Sequence, residues 1–158
     1  MSFAAAAEEL VFRGYIFQTL IRSNHTVVAF LLTSTLFAMV HQGNPGANII
    51  GWANTFLAGI WFGIAYLKTK ELWFVSGIHF AWNWLQGSLY GIEVSGLTDI
   101  SPHPVFKEIE TGPAWIGGGS YGLEGGIVTT ISILISIIAI RYLTWERFDK
   151  TKRAAESS

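Results

Sequence analysis

Six ionisable or strongly polar side chains stand in otherwise apolar stretches: Glu8, Glu9 and Arg13, then His41, then His79 and Asn83. Glu9 and Arg13 are four residues apart, acid before base, so on a helix they share a face and can neutralise each other. Glu8 points about 100° away from Glu9 and is the acid left over. Phe37 and His41 share a face at the end of Phe37-Ala38-Met39-Val40-His41, and His79 and Asn83 share another. A carboxylate, two imidazoles and an amide then come from three segments. That set can position and deprotonate a water, or hold a divalent metal such as zinc through Glu8, His41 and His79. Asn83 can donate an amide N–H to a developing oxyanion. Each part also has a plainer reading: a packing salt bridge or a surface-lying helix for the first group, a solvated or capping His41, and an interhelical polar contact for His79. The combination is more specific than any of its parts.

The segments that carry these residues read as membrane-spanning helices. Of the 158 residues, 51% are apolar and only 13% charged, against about 25% charged in soluble domains. No Asp, Glu, Lys or Arg occurs between Arg22 and Lys68, between Glu71 and Glu93, or between Glu124 and Arg141. A span needs about 20 apolar residues, and the chain supplies roughly five such stretches. They cover about residues 3–21, 25–41, 48–67, 72–90 and 125–142. The expected fold is an all-α membrane protein, a bundle of about five transmembrane helices around a polar intramembrane site. Residues 1–146 form one domain and 147–158 a polar tail. The connection over residues 91–121, rich in Gly, Pro and Ser, reads as a long flexible loop, and Glu124 as an acid favouring a helix N-terminus. The Trp residues read mostly as interfacial anchors.

An ionisable residue near the bilayer centre costs about 2.5–3.5 kcal/mol on insertion scales, so Glu8, Glu9 and Arg13 need partners or a wet cavity. Alternating spans put Arg22, Lys68, Lys70, Arg141, Arg147, Lys150, Lys152 and Arg153 on one side. By the positive-inside rule that side, with the C-terminus, is cytoplasmic. At about 1.5 Å of rise per residue the polar site then falls in the half of the bilayer away from the cytoplasm.

The motif Glu8-Glu9-Leu10-Val11-Phe12-Arg13-Gly14, the Phe37-x-x-x-His41 pair and the His79-x-x-x-Asn83 pair, in this order and on separate spans, resemble the three signatures of one family. It is the CPBP family of CAAX proteases and bacteriocin-processing enzymes, also called Abi. The likeness runs from Ala4 to about Gln86. It implies an all-helical membrane fold and endopeptidase activity, with a membrane protein or lipidated peptide as substrate and the bilayer as solvent. Carried over, Glu8 would activate the attacking water, with His41 and His79 lining the site. Asn83 would help stabilise the oxyanion, and Glu9 with Arg13 would organise the first span. Family members usually carry further helices before the paired glutamates. Seven residues precede Glu8 here, so a truncated or minimal core is expected.

Two other function classes remain in view. One is a non-catalytic membrane immunity or partner-binding protein on the same scaffold. The other is a proton or metal-ion transporter, which the absence of ionisable residues from the fifth span before Arg141 disfavours. A net charge of −1 gives no basis for nucleic-acid binding. With no cysteine, thiolate zinc sites, disulfides and a Cys nucleophile are excluded.

Overall fold

The computed structural model of the chain describes residues 2–97, 103–109 and 111–142. The expected tail over 147–158, and the basic residues counted there, lie outside the described residues. Among those described the chain is helical and has no strand, only an isolated bridge between Val94 and Leu97. The first segment opens on an alanine-rich turn, the strongest helix-forming composition. It runs as α1 (Ser2–Glu9), a π-helical stretch (Leu10–Phe17) and α2 (Gln18–Arg22). Glu9 and Gln18 keep right-handed helical dihedrals at both junctions, so the helix changes winding without breaking.

Asn24, in the left-handed region, turns the chain into α3 (Thr26–His41). α4 (Ile49–Thr69) is capped at its start by the Asn48 side-chain Oδ1, which accepts from Gly51 N at 2.8 Å, and stopped by Lys70 in the left-handed region. α5 (Leu72–Trp84) continues into a second π-helical stretch (Leu85–Tyr90), ended by Gly91. A short α6 (Ala114–Gly117) and two 3₁₀ turns lead into α7 (Ile127–Tyr142).

Each of the five expected segments is therefore helical. By length and composition, α4 alone among the helices of the described residues is long and apolar enough to cross a membrane. α3 and α7, with 16 residues each, reach about 24 Å at 1.5 Å per residue, short of a hydrocarbon core of about 30 Å. The first segment carries four charged residues, Glu8, Glu9, Arg13 and Arg22, and the fourth changes winding partway.

α4 is the centre of the bundle and packs against α3, α5, α7 and the first π stretch. Gly59 lets α3 approach its backbone, since a Cβ there would lie 2.7 Å from Ser34. Phe12, Phe37, Trp61, Phe62, Val75, Ile133 and Ile140 form the apolar core. Trp61 is thus a core residue, not the interfacial anchor expected from sequence. Its neighbour Trp82, at an edge-to-face distance of 6.3 Å, is half-buried as well.

The expectation of a flexible glycine-rich loop is corrected. Gly91, Gly96, Gly118 and Gly122 are points of close backbone packing, while Gly112 and Gly117 stand in open space. Gly96 has φ +77°, and a Cβ there would strike the Pro45 carbonyl; Gly122 stands in the same relation to the Glu93 carbonyl. Asn54 of α4 ties the loop down: its Nδ2 donates to the Glu124 and Gly126 carbonyls at 2.8 and 2.9 Å, while its Oδ1 accepts from Thr130 at 2.6 Å. Replacing Gly96 by Ala should lower the thermal midpoint in detergent, at a cost of about 1–3 kcal/mol. Gly77→Ala, in an open position within α5, should leave it unchanged or raise it. Equal midpoints for the two variants would contradict this packing role.

Candidate active site

Glu9 and Arg13 meet as their spacing requires, with Arg13 Nη1 donating to Glu9 Oε1 at 3.1 Å, both side chains fully buried. Arg13 Nη2 donates to the Gly59 carbonyl at 3.2 Å, which ties the first helix to α4. The guanidinium carbon also lies 4.6 Å from the Phe37 ring centre and 5.0 Å from that of Phe62, within cation–π range.

Glu9 has a second partner that spacing does not reveal: His79 Nδ1 lies 2.9 Å from the same Oε1. A carboxylate only accepts, so Nδ1 carries the hydrogen and Nε2 is turned away from Glu9. Phe62 stacks on the His79 ring, with centroids 5.0 Å apart and planes at 26°. His41 is fixed in the same manner. Its Nδ1 donates to the Phe37 carbonyl at 2.7 Å, leaving Nε2 free for the cavity. Tyr121, buried by the glycine-rich loop, brings its hydroxyl to 3.5 Å from the His41 carbonyl. Burial pushes the Tyr121 phenol above its usual range, so it is a neutral donor.

Both Nε2 atoms face the same carboxylate oxygen. Glu8 Oε2 is 3.9 Å from His41 Nε2 and 3.9 Å from His79 Nε2. That oxygen is buried and has no hydrogen-bond partner. Glu8, His41, His79 and Asn83 all line one cavity of about 460 Å³, walled by Phe37, Trp61, Phe62 and Trp82. The Asn83 side chain makes no hydrogen bond among the described residues and is available to a ligand. Glu9 and Arg13 do not line the cavity; they sit behind its wall and act through His79 and the backbone.

A metal ion was the other reading of this set. A tetrahedral zinc with bonds of about 2.0–2.2 Å holds its ligand atoms about 3.4 Å apart. Among the described residues no group of three potential ligands is placed to hold a metal. Atoms 3.9 Å apart can each lie about 2.8 Å from one water.

The family model described as type II CAAX prenyl endopeptidase Rce1-like matches residues 1–85. The chain belongs to that family. No curated protein and no solved structure matches it. The matched range contains Glu8, Glu9, Arg13, His41, His79 and Asn83, and the family is one of CAAX prenyl endopeptidases.

Beyond the match, sequence reasoning misread Glu124. It is buried, and is not an acid sitting over a helix end. Its Oε1 accepts from Trp82 Nε1 at 3.0 Å and Gln86 Nε2 at 2.9 Å, and its Oε2 from Ser95 N at 3.2 Å. It thereby closes the far wall of the cavity. The available signal was its isolation from any basic residue near a Gly-rich turn.

Removing one member of a buried ion pair leaves an unpaired charge, which costs about 3–5 kcal/mol, whereas removing both restores much of that. Arg13→Met should therefore unfold in detergent at markedly lower temperature than wild type, and the Glu9→Met, Arg13→Met double variant should recover part of the loss. Strict additivity of the two single effects would remove the pair from its supporting role.

Proposed function

We propose that the chain is a multi-pass intramembrane endopeptidase that cleaves a lipidated or membrane-associated peptide by a Glu8-activated water. The observation that carries this reading is the buried, unpartnered Glu8 Oε2 facing two imidazole nitrogens at water spacing. Other buried polar atoms lack partners too, Glu9 Oε2 among them; Glu8 is set apart because it lines the cavity and faces both imidazoles there.

Glu8 takes a proton from the water, and the hydroxide adds to the scissile carbonyl. His41 Nε2 holds the water on the other side. The Asn83 amide donates to the resulting oxyanion, joined by His79 Nε2–H when that ring carries its second proton. Collapse of the tetrahedral intermediate breaks the C–N bond, and the proton held by Glu8 passes to the departing amine. Glu9 and Arg13 position His79 and the first helix; they do not touch the substrate. The aromatic walls suit an apolar substrate segment and keep bulk water out.

The membrane reading has a separate support. Val27, Leu31, Ile131, Ile135 and Ile138 are each more than half exposed on the outer faces of α3 and α7, helices whose only charged or imidazole side chains are His41 and Arg141, at their ends. Lipid is the solvent that such faces fit. Arg22, Lys68, Lys70 and Arg141 gather at the end of the bundle opposite the cavity, so the basic end is cytoplasmic and the site opens in the outer half of the bilayer. A substrate then reaches it from within the membrane or from the outer side. The alternative is a non-catalytic immunity or partner-binding protein on the same scaffold.

Incubated with a library of prenylated and membrane peptides, purified wild type should release cleaved product. Glu8→Gln, of the same shape, should lower turnover about 10²–10⁴-fold with the fold intact, and a chelator should leave wild-type turnover unchanged. Near-normal cleavage by the Gln variant would reject Glu8 as the base. Loss on chelation with recovery on zinc would replace the water-only route. Wild type inactive on every peptide would favour the non-catalytic alternative.

Orientation has its own test. Single cysteines at Gly43 and Glu71, both exposed, should label from opposite sides, Gly43→Cys from outside the cell and Glu71→Cys from the cytoplasm. The reverse pattern would invert the bundle.

A further inference from the structure

A second groove lies at the end of the bundle opposite the cavity. It has a volume of about 510 Å³ and runs between α3 and α7 across the outer face of α4. Its floor is Ile60, Ile64 and Leu67, spaced to share one face of α4. Phe30 of α3 forms one wall, and its ring lies against the α4 backbone because Gly63 has no Cβ; a Cβ there would come within 2.6 Å of that ring. Lys68 and Arg141 close the groove at its mouth. Neither cation forms an ion pair among the described residues. From Asn54, beside the catalytic cavity, to Lys68 is about 21 Å along α4 at 1.5 Å per residue.

We propose that this groove binds one anionic phospholipid, an acyl chain lying along Ile60, Ile64, Leu67 and Phe30 and the phosphate held between Lys68 and Arg141. The apolar floor alone would accept any hydrocarbon chain. Two cations without acidic partners among the described residues, at the same end of that floor, select a chain that carries negative charge at its head. Their long stems reach along the apolar wall while the charged tips stay at the headgroup level. Basic residues between helices at a cytoplasmic membrane surface meet anionic lipid there. A zwitterionic lipid brings its own ammonium and loses this advantage. A small soluble anion leaves the floor unused. The inference rests on the membrane reading given above and is independent of the catalytic one.

The test uses full-length protein in detergent, titrated separately with phosphatidylglycerol and phosphatidylcholine of the same acyl chains, with bound lipid counted by native mass spectrometry. Wild type should bind phosphatidylglycerol about tenfold more tightly. The Lys68→Gln, Arg141→Gln double variant should fall to the phosphatidylcholine level. Arg22→Gln removes a cation at the same end but outside the groove, and should keep the wild-type preference. Ile60→Trp fills the floor without changing charge and should weaken both lipids, with thermal unfolding confirming that each variant is folded. Equal affinity of wild type for the two lipids overturns the proposal, as does a loss in Arg22→Gln matching that of the double variant. Absence of peptidase activity would leave the lipid result standing. Recovery of the protein in the aqueous phase of a detergent partition would overturn the membrane reading and this inference with it.

Discussion

A charged pair with no access to water must be neutralised where it stands, and the arrangement around Glu9 and Arg13 follows from that demand. Neither side chain has solvent-exposed surface. The pair alone does not satisfy all the polar atoms, so further partners are drawn in: the Gly59 carbonyl, the His79 ring and the faces of Phe37 and Phe62. Those partners belong to α3, α4 and α5. A contact made for charge balance thus fixes four helices relative to one another. Gly59 is needed twice, once because its carbonyl accepts from Arg13 and once because its missing Cβ admits α3. Glu9 Oε2 and Arg13 Nε still lack partners. Such residual cost is tolerated where a site requires rigid placement.

The two cavity imidazoles inherit their orientation from this frame. A histidine has two ring nitrogens, and the hydrogen bond at one decides what the other can do. At His79 the Glu9 carboxylate holds Nδ1; at His41 a backbone carbonyl one helical turn earlier does so. In both cases Nε2 is presented to Glu8. The two rings come from different helices and different chemistry, yet converge at the same distance on one oxygen.

Local spacing made much of this legible in the sequence. The Glu9–Arg13 pair is an i,i+4 contact, the leftover position of Glu8 follows from helical rotation, and the helical segments follow from the runs without charge. Long-range partners were not legible. That Glu9 serves His79 as well as Arg13 depends on how α1 and α5 pack, and no periodicity within either helix encodes it. The glycine-rich connection was misread because composition reports conformational freedom, while here the glycines answer to contact: the missing Cβ at Gly96 and Gly122 admits a carbonyl of another segment. Glu124 was misread for the same reason, since its donors Trp82, Gln86 and Ser95 come from elements distant in sequence. The π-helical windings after Glu9 and after Trp84 leave no mark in the hydrophobic pattern, although both lie next to site residues, where such departures from α geometry are frequent.

The two adjacent glutamates also explain why the site needs both. Successive residues on a helix point about 100° apart, so one backbone position faces the cavity while the next faces the packed interior. Glu8 keeps about a third of its side-chain surface exposed and Glu9 none. Identical side chains thereby enter different environments, the usual route by which paired carboxylates take different tasks. Glu9 is committed to Arg13 and His79 through one oxygen and cannot reach a substrate. Glu8 has an uncommitted oxygen and an opening toward the cavity. Moving the glutamate by one position in either direction would exchange a cavity-facing carboxylate for a buried one, so the pairing is a consequence of helix geometry and not a redundancy of charge.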